Sequence, residues 1–91
     1  MLSNDLSVGQ VVINTSGRDA GRLFFIVKIV DKEHVLISDG KKRKLDNPKL
    51  KKVKHLQKYK VLNQVVKEKL ESKESITDAF IRAELNKLNI V

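Results

Sequence analysis

The sequence predicts a mainly β fold: a small, strongly bent barrel of four to five short strands, followed by two short C-terminal α-helices. Three observations predict it. Between residues 9 and 56, short β-branched and aromatic runs alternate with turn clusters. An Asp39-Gly40 pair falls between two such runs. From about Tyr59 the apolar period lengthens to that of a helix. The expected division is a barrel domain over residues 1–58 and a helical extension over 59–91, packed on the barrel.

Gln10–Asn14 is a β-branched run that ends in the turn-forming cluster Thr15-Ser16-Gly17. Leu23–Val30 is the longest strand candidate, with Leu23, Phe25, Val27 and Ile29 on one side and Phe24, Ile26, Lys28 and Val30 on the other. Three apolar residues on that second side predict that it is covered as well. Asp31-Lys32-Glu33 makes a polar turn, and His34–Ser38 returns as a strand. Asp39-Gly40 fits a type I′ hairpin, because glycine tolerates the positive φ this turn demands. The strand beyond it is expected at Lys41–Leu45, broken by Asn47-Pro48, with a last short strand at Val53–Leu56. So many short strands in under fifty residues point to a barrel of the SH3-like kind.

Val61, Leu62, Val65, Val66 and Leu70 recur at helical spacing, and a second helix is expected from near Ser75, whose spacing to Asp78 imitates a capping box. Ile76, Ala79, Phe80, Ala83 and Leu88 form its expected inner stripe. These helices should cover the second side of the long strand. An exposed stripe that binds a partner protein is the alternative.

Composition excludes several functions. The 91 residues contain no cysteine, which removes disulfides, thiolate metal sites and cysteine nucleophiles. His34 and His55 lack metal-ligand spacing, so no metal or other cofactor is expected. No nucleophile or general-base constellation is recognisable, and the chain reads as a non-enzyme without a small-molecule substrate. The N-terminal residues resemble no signal peptide and the longest unbroken apolar run is Leu23–Val27, so the expectation is a cytoplasmic protein with no membrane partner.

Charge is the most informative feature. The formal net charge is +8. Residues 1–40 carry net −1, residues 61–91 net 0, and residues 41–60 carry ten basic side chains against Asp46 alone. A solubilising surface intersperses both signs, whereas a single-sign block concentrates polyanions. Lys41, Lys42, Arg43 and Lys44 follow the Asp-Gly turn; on a strand, Lys42 and Lys44 would share one face and Lys41 and Arg43 the other. Lys49, Lys51, Lys52 and Lys54 surround the proline turn. With only Phe24, Phe25, Phe80 and Tyr59 as aromatics, a stacking platform for single strands is disfavoured and folded RNA is the better fit.

The loop from Thr15 to Arg22 offers complementary chemistry. Thr15, Ser16 and exposed backbone N–H groups can donate to phosphate oxygens, Gly17 and Gly21 permit close approach, and Arg18 and Arg22 can fork onto phosphates. Asp19 reads as an ordinary turn residue. A nucleotide-binding P-loop is excluded, because Arg22-Leu23 stands where Lys-Ser/Thr is required.

The stretch "VGQVVINTSGRDAGRLFFIVKIVD", with Gly17 and Gly21 bounding its loop, resembles the KOW motif. With "VLISDG" and "KKVKHL" it resembles more specifically the archaeal and eukaryotic large-subunit ribosomal protein fourteen-e family. The resemblance implies an RNA-binding protein that docks on ribosomal RNA through this loop, with ribosomal proteins as further partners. An alternative is a protein-interaction module of the transcription or translation machinery, since KOW domains of NusG-type factors contact polymerase as well as nucleic acid.

Overall fold

The computed structural model describes residues 6–72 and 74–88. Five strands, β1 (Gln10–Asn14), β2 (Leu23–Ile29), β3 (His34–Ser38), β4 (Lys49–Lys52) and β5 (Leu56–Leu62), form one antiparallel sheet in the order β4-β3-β2-β1-β5. Two helices follow, α1 (Gln64–Glu71) and α2 (Asp78–Leu88). This is the mainly β architecture the sequence predicts.

The connectivity forces the sheet to curl. The edge strands β4 and β5 are consecutive in the chain, joined by a single 3₁₀ turn, Val53–His55. A flat five-stranded sheet would hold its edges about 19 Å apart, whereas a 3₁₀ turn of this length advances the chain only about 8 Å. The edges meet only if the sheet closes on itself as a barrel. Register shifts between Ile26 and Lys28 and between Gln10 and Val12 supply bends at irregular pairings.

Both faces are buried at the centres of β1 and β2, where Val11, Val12, Phe24, Phe25 and Ile26 form continuously apolar stretches. Val12, Phe24, Ile26, Val35 and Ile37 pack inside the barrel, with Leu56 and Val53 against them. Val11 and Phe25 point the other way and meet Val66 of α1 and Ile81 and Leu85 of α2. The helices therefore cover the Leu23–Phe25–Val27 side, and the Phe24–Ile26 side is the barrel interior, the reverse of the expected assignment. Each fully buried Val66 or Ile81 contributes about 1.5–3 kcal/mol to this attachment.

Several local expectations are corrected. Lys41–Leu45 is not a strand, and Asp39-Gly40 is not a two-residue hairpin turn; a ten-residue connection runs from β3 to β4. The reason is Asp39. Its buried carboxylate accepts from the N–H groups of Lys41 and Arg43, both at 2.9 Å, and winds the chain into a compact loop. Without a strand there, Lys41–Lys44 do not alternate between two faces. The last strand is not Val53–Leu56 but β5, which runs to Leu62; residues 59–62, expected in the helical extension, complete the sheet. The outer ends of both expected domains lie outside the described residues. The cap of α2 is Thr77, whose Oγ1 accepts from Phe80 N–H at 3.1 Å, not Ser75. Ala79 and Ala83 are exposed, and the inner stripe is Ile81 and Leu85, with Ile76, Phe80 and Leu88 half-buried beside it.

Asn63 joins barrel to helices. Its N–H donates to Gly9 O, its Oδ1 accepts from Val66 N–H as the α1 cap, and its Nδ2 donates to Glu84 of α2 at 2.7 Å.

Candidate nucleic-acid interface

The β1–β2 loop is closed at its base by strand-like bonds, Gly21 N–H to Asn14 O at 2.7 Å and Asn14 N–H to Arg22 O at 3.0 Å. Gly17 and Gly21 take φ of +80° and +88°, and a Cβ on either would meet open space. These positions are glycine for backbone conformation, with no protein group crowding them. At the tip, the N–H groups of Gly17, Arg18 and Asp19 donate to no acceptor among the described residues. Consecutive free N–H groups of this kind attract an anion. Arg18 is exposed beside them.

The other loop residues are tied into the protein. Thr15 donates both its N–H (2.9 Å) and its hydroxyl (2.8 Å) to His55 O, so the Thr15 hydroxyl proton is already committed. Ser16 N–H reaches the buried Asn14 Oδ1 at 3.4 Å. Arg22 lies 3.5 Å from Asp39 Oδ2 and 3.9 Å from Asp19 Oδ1.

Two of these ties bring the loop and the basic segment together. Thr15–His55 sets one end of the loop next to Lys54, and Arg22–Asp39 sets the other end beside Lys41–Arg43. The Lys41–Lys44 loop is itself braced. Arg43 O accepts from Ser38 Oγ at 2.7 Å and from the N–H groups of Asp39 and Gly40. Leu45 N–H donates to Asp78 of α2 at 2.7 Å, and Arg82 Nη1 donates to Gly40 O at 2.6 Å. Lys41, Lys42 and Lys44 remain exposed and Arg43 is half-buried.

β4 sorts its lysines by pairing. Lys51 and Lys49 stand opposite the buried Val35 and Ile37, so their half-buried stems lie on the interior side of the sheet. Lys52, opposite His34, is on the outer side and exposed, as is Lys54 on the 3₁₀ turn. Lysines on this edge strand also guard it against pairing with other chains.

Sequence reasoning missed Arg82 and Asn86. Both come from α2 and line, with Gly21, Arg22, Leu23, Asp39, Lys41 and Leu85, a cleft between the loop and the helix. Arg82 sits one turn after Asp78, on the face that meets the basic loop; placing the inner stripe on Ile81 and Leu85 would have located it. Among the described residues no acidic and histidine side chains group as a metal site, and no helix is long and apolar enough to cross a membrane.

A curled five-stranded sheet with a glycine-bounded polar loop and a lysine-rich connection is a small, mainly β, barrel-like architecture, the one expected of a KOW domain. The chain is similar to the large ribosomal subunit protein eL14 of Methanococcus maripaludis strain C7, at 46% identity over 44 residues, 48% of this chain and 57% of that protein. The eL14 of Methanococcus vannielii matches at 39% identity over 44 residues, with the same coverage of each chain. The chain spans about half the length of the curated relatives it matches. No family model matches it.

Proposed function

We propose that this chain is a non-enzymatic RNA-binding protein that docks on ribosomal RNA, as a ribosomal or ribosome-associated protein of the cytoplasm. The observation that carries the reading is the pair of ties, Thr15–His55 and Arg22–Asp39, joining the glycine-bounded loop to the basic segment as one preformed surface. The similarity to eL14 supports ribosomal RNA as the ligand and ribosomal proteins as neighbours.

In this reading the loop tip positions the protein. The free N–H groups of Gly17–Asp19, Ser16 and Arg18 take one phosphate, while Gly21 lets the strand edge approach the backbone closely. Lys41, Lys42, Lys44, Lys52 and Lys54 add affinity as point charges, with Lys49 and Lys51 at the rim. Arg22 and Arg43 hold the surface in shape as much as they contact RNA. The helices fold with the barrel as one unit and brace the basic loop.

The test is the salt dependence of binding to ribosomal RNA. Affinity should fall steeply with salt, and each Lys→Ala change among Lys41, Lys42, Lys44 and Lys54 should flatten the slope by about one unit. Binding indifferent to salt would defeat the phosphate model. The protein should also co-sediment with large ribosomal subunits.

A further inference from the structure

The cleft between the β1–β2 loop and α2 contains more than phosphate-binding charge. Its lining combines three cations, Arg22, Lys41 and Arg82, with the one carboxylate of Asp39, which is already paired to Arg22, the apolar edges of Leu23 and Leu85, and the amide of Asn86. Its volume of about 370 Å³ lies at the lower end of small-ligand sites. Cations for a phosphate, a small apolar edge for a ring and an amide that both donates and accepts are together what a single nucleotide needs.

The cleft is preformed. Arg82 is anchored through Nη1 on Gly40 O at 2.6 Å, and no described carboxylate pairs with it. Its remaining N–H donors are available. Gly40 lets α2 come this close: a Cβ there would lie 2.5 Å from Asp78 O and 3.2 Å from Arg82 Cγ. Arg22 is held by Asp39, itself in the cleft lining, at 3.5 Å and by Asp19 at 3.9 Å, which leaves Lys41 and Arg82 as the lining cations without a described carboxylate partner. Leu85, only 5% exposed, is fixed in the core by Phe25 and Ile81 and shows the cleft one rigid edge beside the half-buried Leu23.

The geometry points to a second, helix-built subsite: the cleft takes one unpaired nucleotide of the bound RNA, its phosphate between Arg22, Lys41 and Arg82 and its base on Leu23 and Leu85. This rests on the RNA-binding reading above and adds to it that α2 is part of the interface. It also places recognition of an unpaired base in a protein with too few aromatics for a stacking platform, because one leucine-edged slot needs none. A paired nucleotide cannot enter, since its base is held in the helix stack.

The test uses two short RNA hairpins, identical except for one bulged adenosine, and adenosine 5′-monophosphate as a third probe. Affinities are measured at fixed low salt, and amide shifts are followed by NMR. The bulged hairpin should bind about tenfold tighter than the paired one, the gain that one added hydrogen bond to a charged group supplies. Amides of Gly21, Leu23, Lys41 and Asn86 should shift with the bulged RNA alone. Arg82→Ala should reduce the tenfold preference to less than about threefold, with Arg82→Lys intermediate; Lys41→Ala, which disturbs no side-chain bond, should reduce it independently. Equal binding of both hairpins, with no shift at Leu23 or Asn86, overturns the subsite while leaving the RNA-binding reading intact. Binding of neither hairpin overturns both. The monophosphate binding as tightly as the bulged RNA would assign the cleft to a free nucleotide instead.

Discussion

Gly9 and Gly21 provide a matched pair for testing how α1 is attached. Their backbones are nearly identical, with φ of +89° and +88°. An alanine at either position therefore carries a similar conformational penalty, about 1–2 kcal/mol. Their surroundings differ. A Cβ at Gly21 meets nothing within 4 Å, whereas at Gly9 it lies 2.7 Å from Lys67 Cβ and 2.9 Å from Lys67 Cα and N. Those are backbone and Cβ atoms of a residue inside α1 and cannot turn aside, so the helix must retreat. Retreat uncovers Val66, which is fully buried, and stretches the Asn63 N–H to Gly9 O bond of 3.0 Å. Partial loss of a valine's burial, worth about 1.5–3 kcal/mol in full, brings Gly9→Ala to about 2–4 kcal/mol, against about 1–2 kcal/mol for Gly21→Ala. Urea denaturation followed by circular dichroism measures both. Equal losses, within about 0.5 kcal/mol, would refute the close seating of α1 on Gly9.

Further outcomes follow from the same contacts. Asp39→Ala raises the net charge, so a purely electrostatic surface would bind RNA more tightly; loss of the two N–H bonds that shape Lys41–Arg43 should weaken binding instead, and Asp39→Asn, which keeps an acceptor oxygen, should bind at least as well as the native protein. Asp78→Ala should cost about 1–2 kcal/mol in denaturant melts by releasing Leu45 N–H. Glu84 is held below the usual carboxylate range by Lys87 at 2.9 Å and by the Asn63 amide. A lowered folded value means that this stabilisation is complete above the ordinary glutamate range and is lost as pH falls through the folded value. The stability gap between native protein and Glu84→Gln should therefore be widest near neutral pH and close in acid; a gap constant from neutral to acid pH would contradict it.

β1 and β3 are legible at their exact bounds and β2 within one residue, because β-branched runs flanked by turn residues carry their own preference. Others are not. Val61, Leu62, Val65, Val66 and Leu70 satisfy a helical spacing, yet the first two belong to β5. The free edge of β1 decides this, since β5 pairs along it from Leu56 to Leu62 and Gln10 Nε2 donates to both Tyr59 O and Val61 O. An open strand edge is a long-range demand that no local window contains.

The sequence by itself determined that a basic block and a glycine-bounded loop exist, because charge and glycine placement are properties of the chain. Only the tertiary structure decided how they meet. Asp39 folds what reads as a hairpin into a loop, Thr15 and Arg22 lock the two segments together, and α2 adds Arg82 to a surface that its own net-neutral segment did not suggest. Each of these acts through hydrogen bonds between residues 17 to 42 positions apart, Asp39's local turn excepted. Such bonds depend on which faces the barrel and helices turn toward each other, and that is set by the burial of Phe25 against Ile81 and Leu85 rather than by any motif.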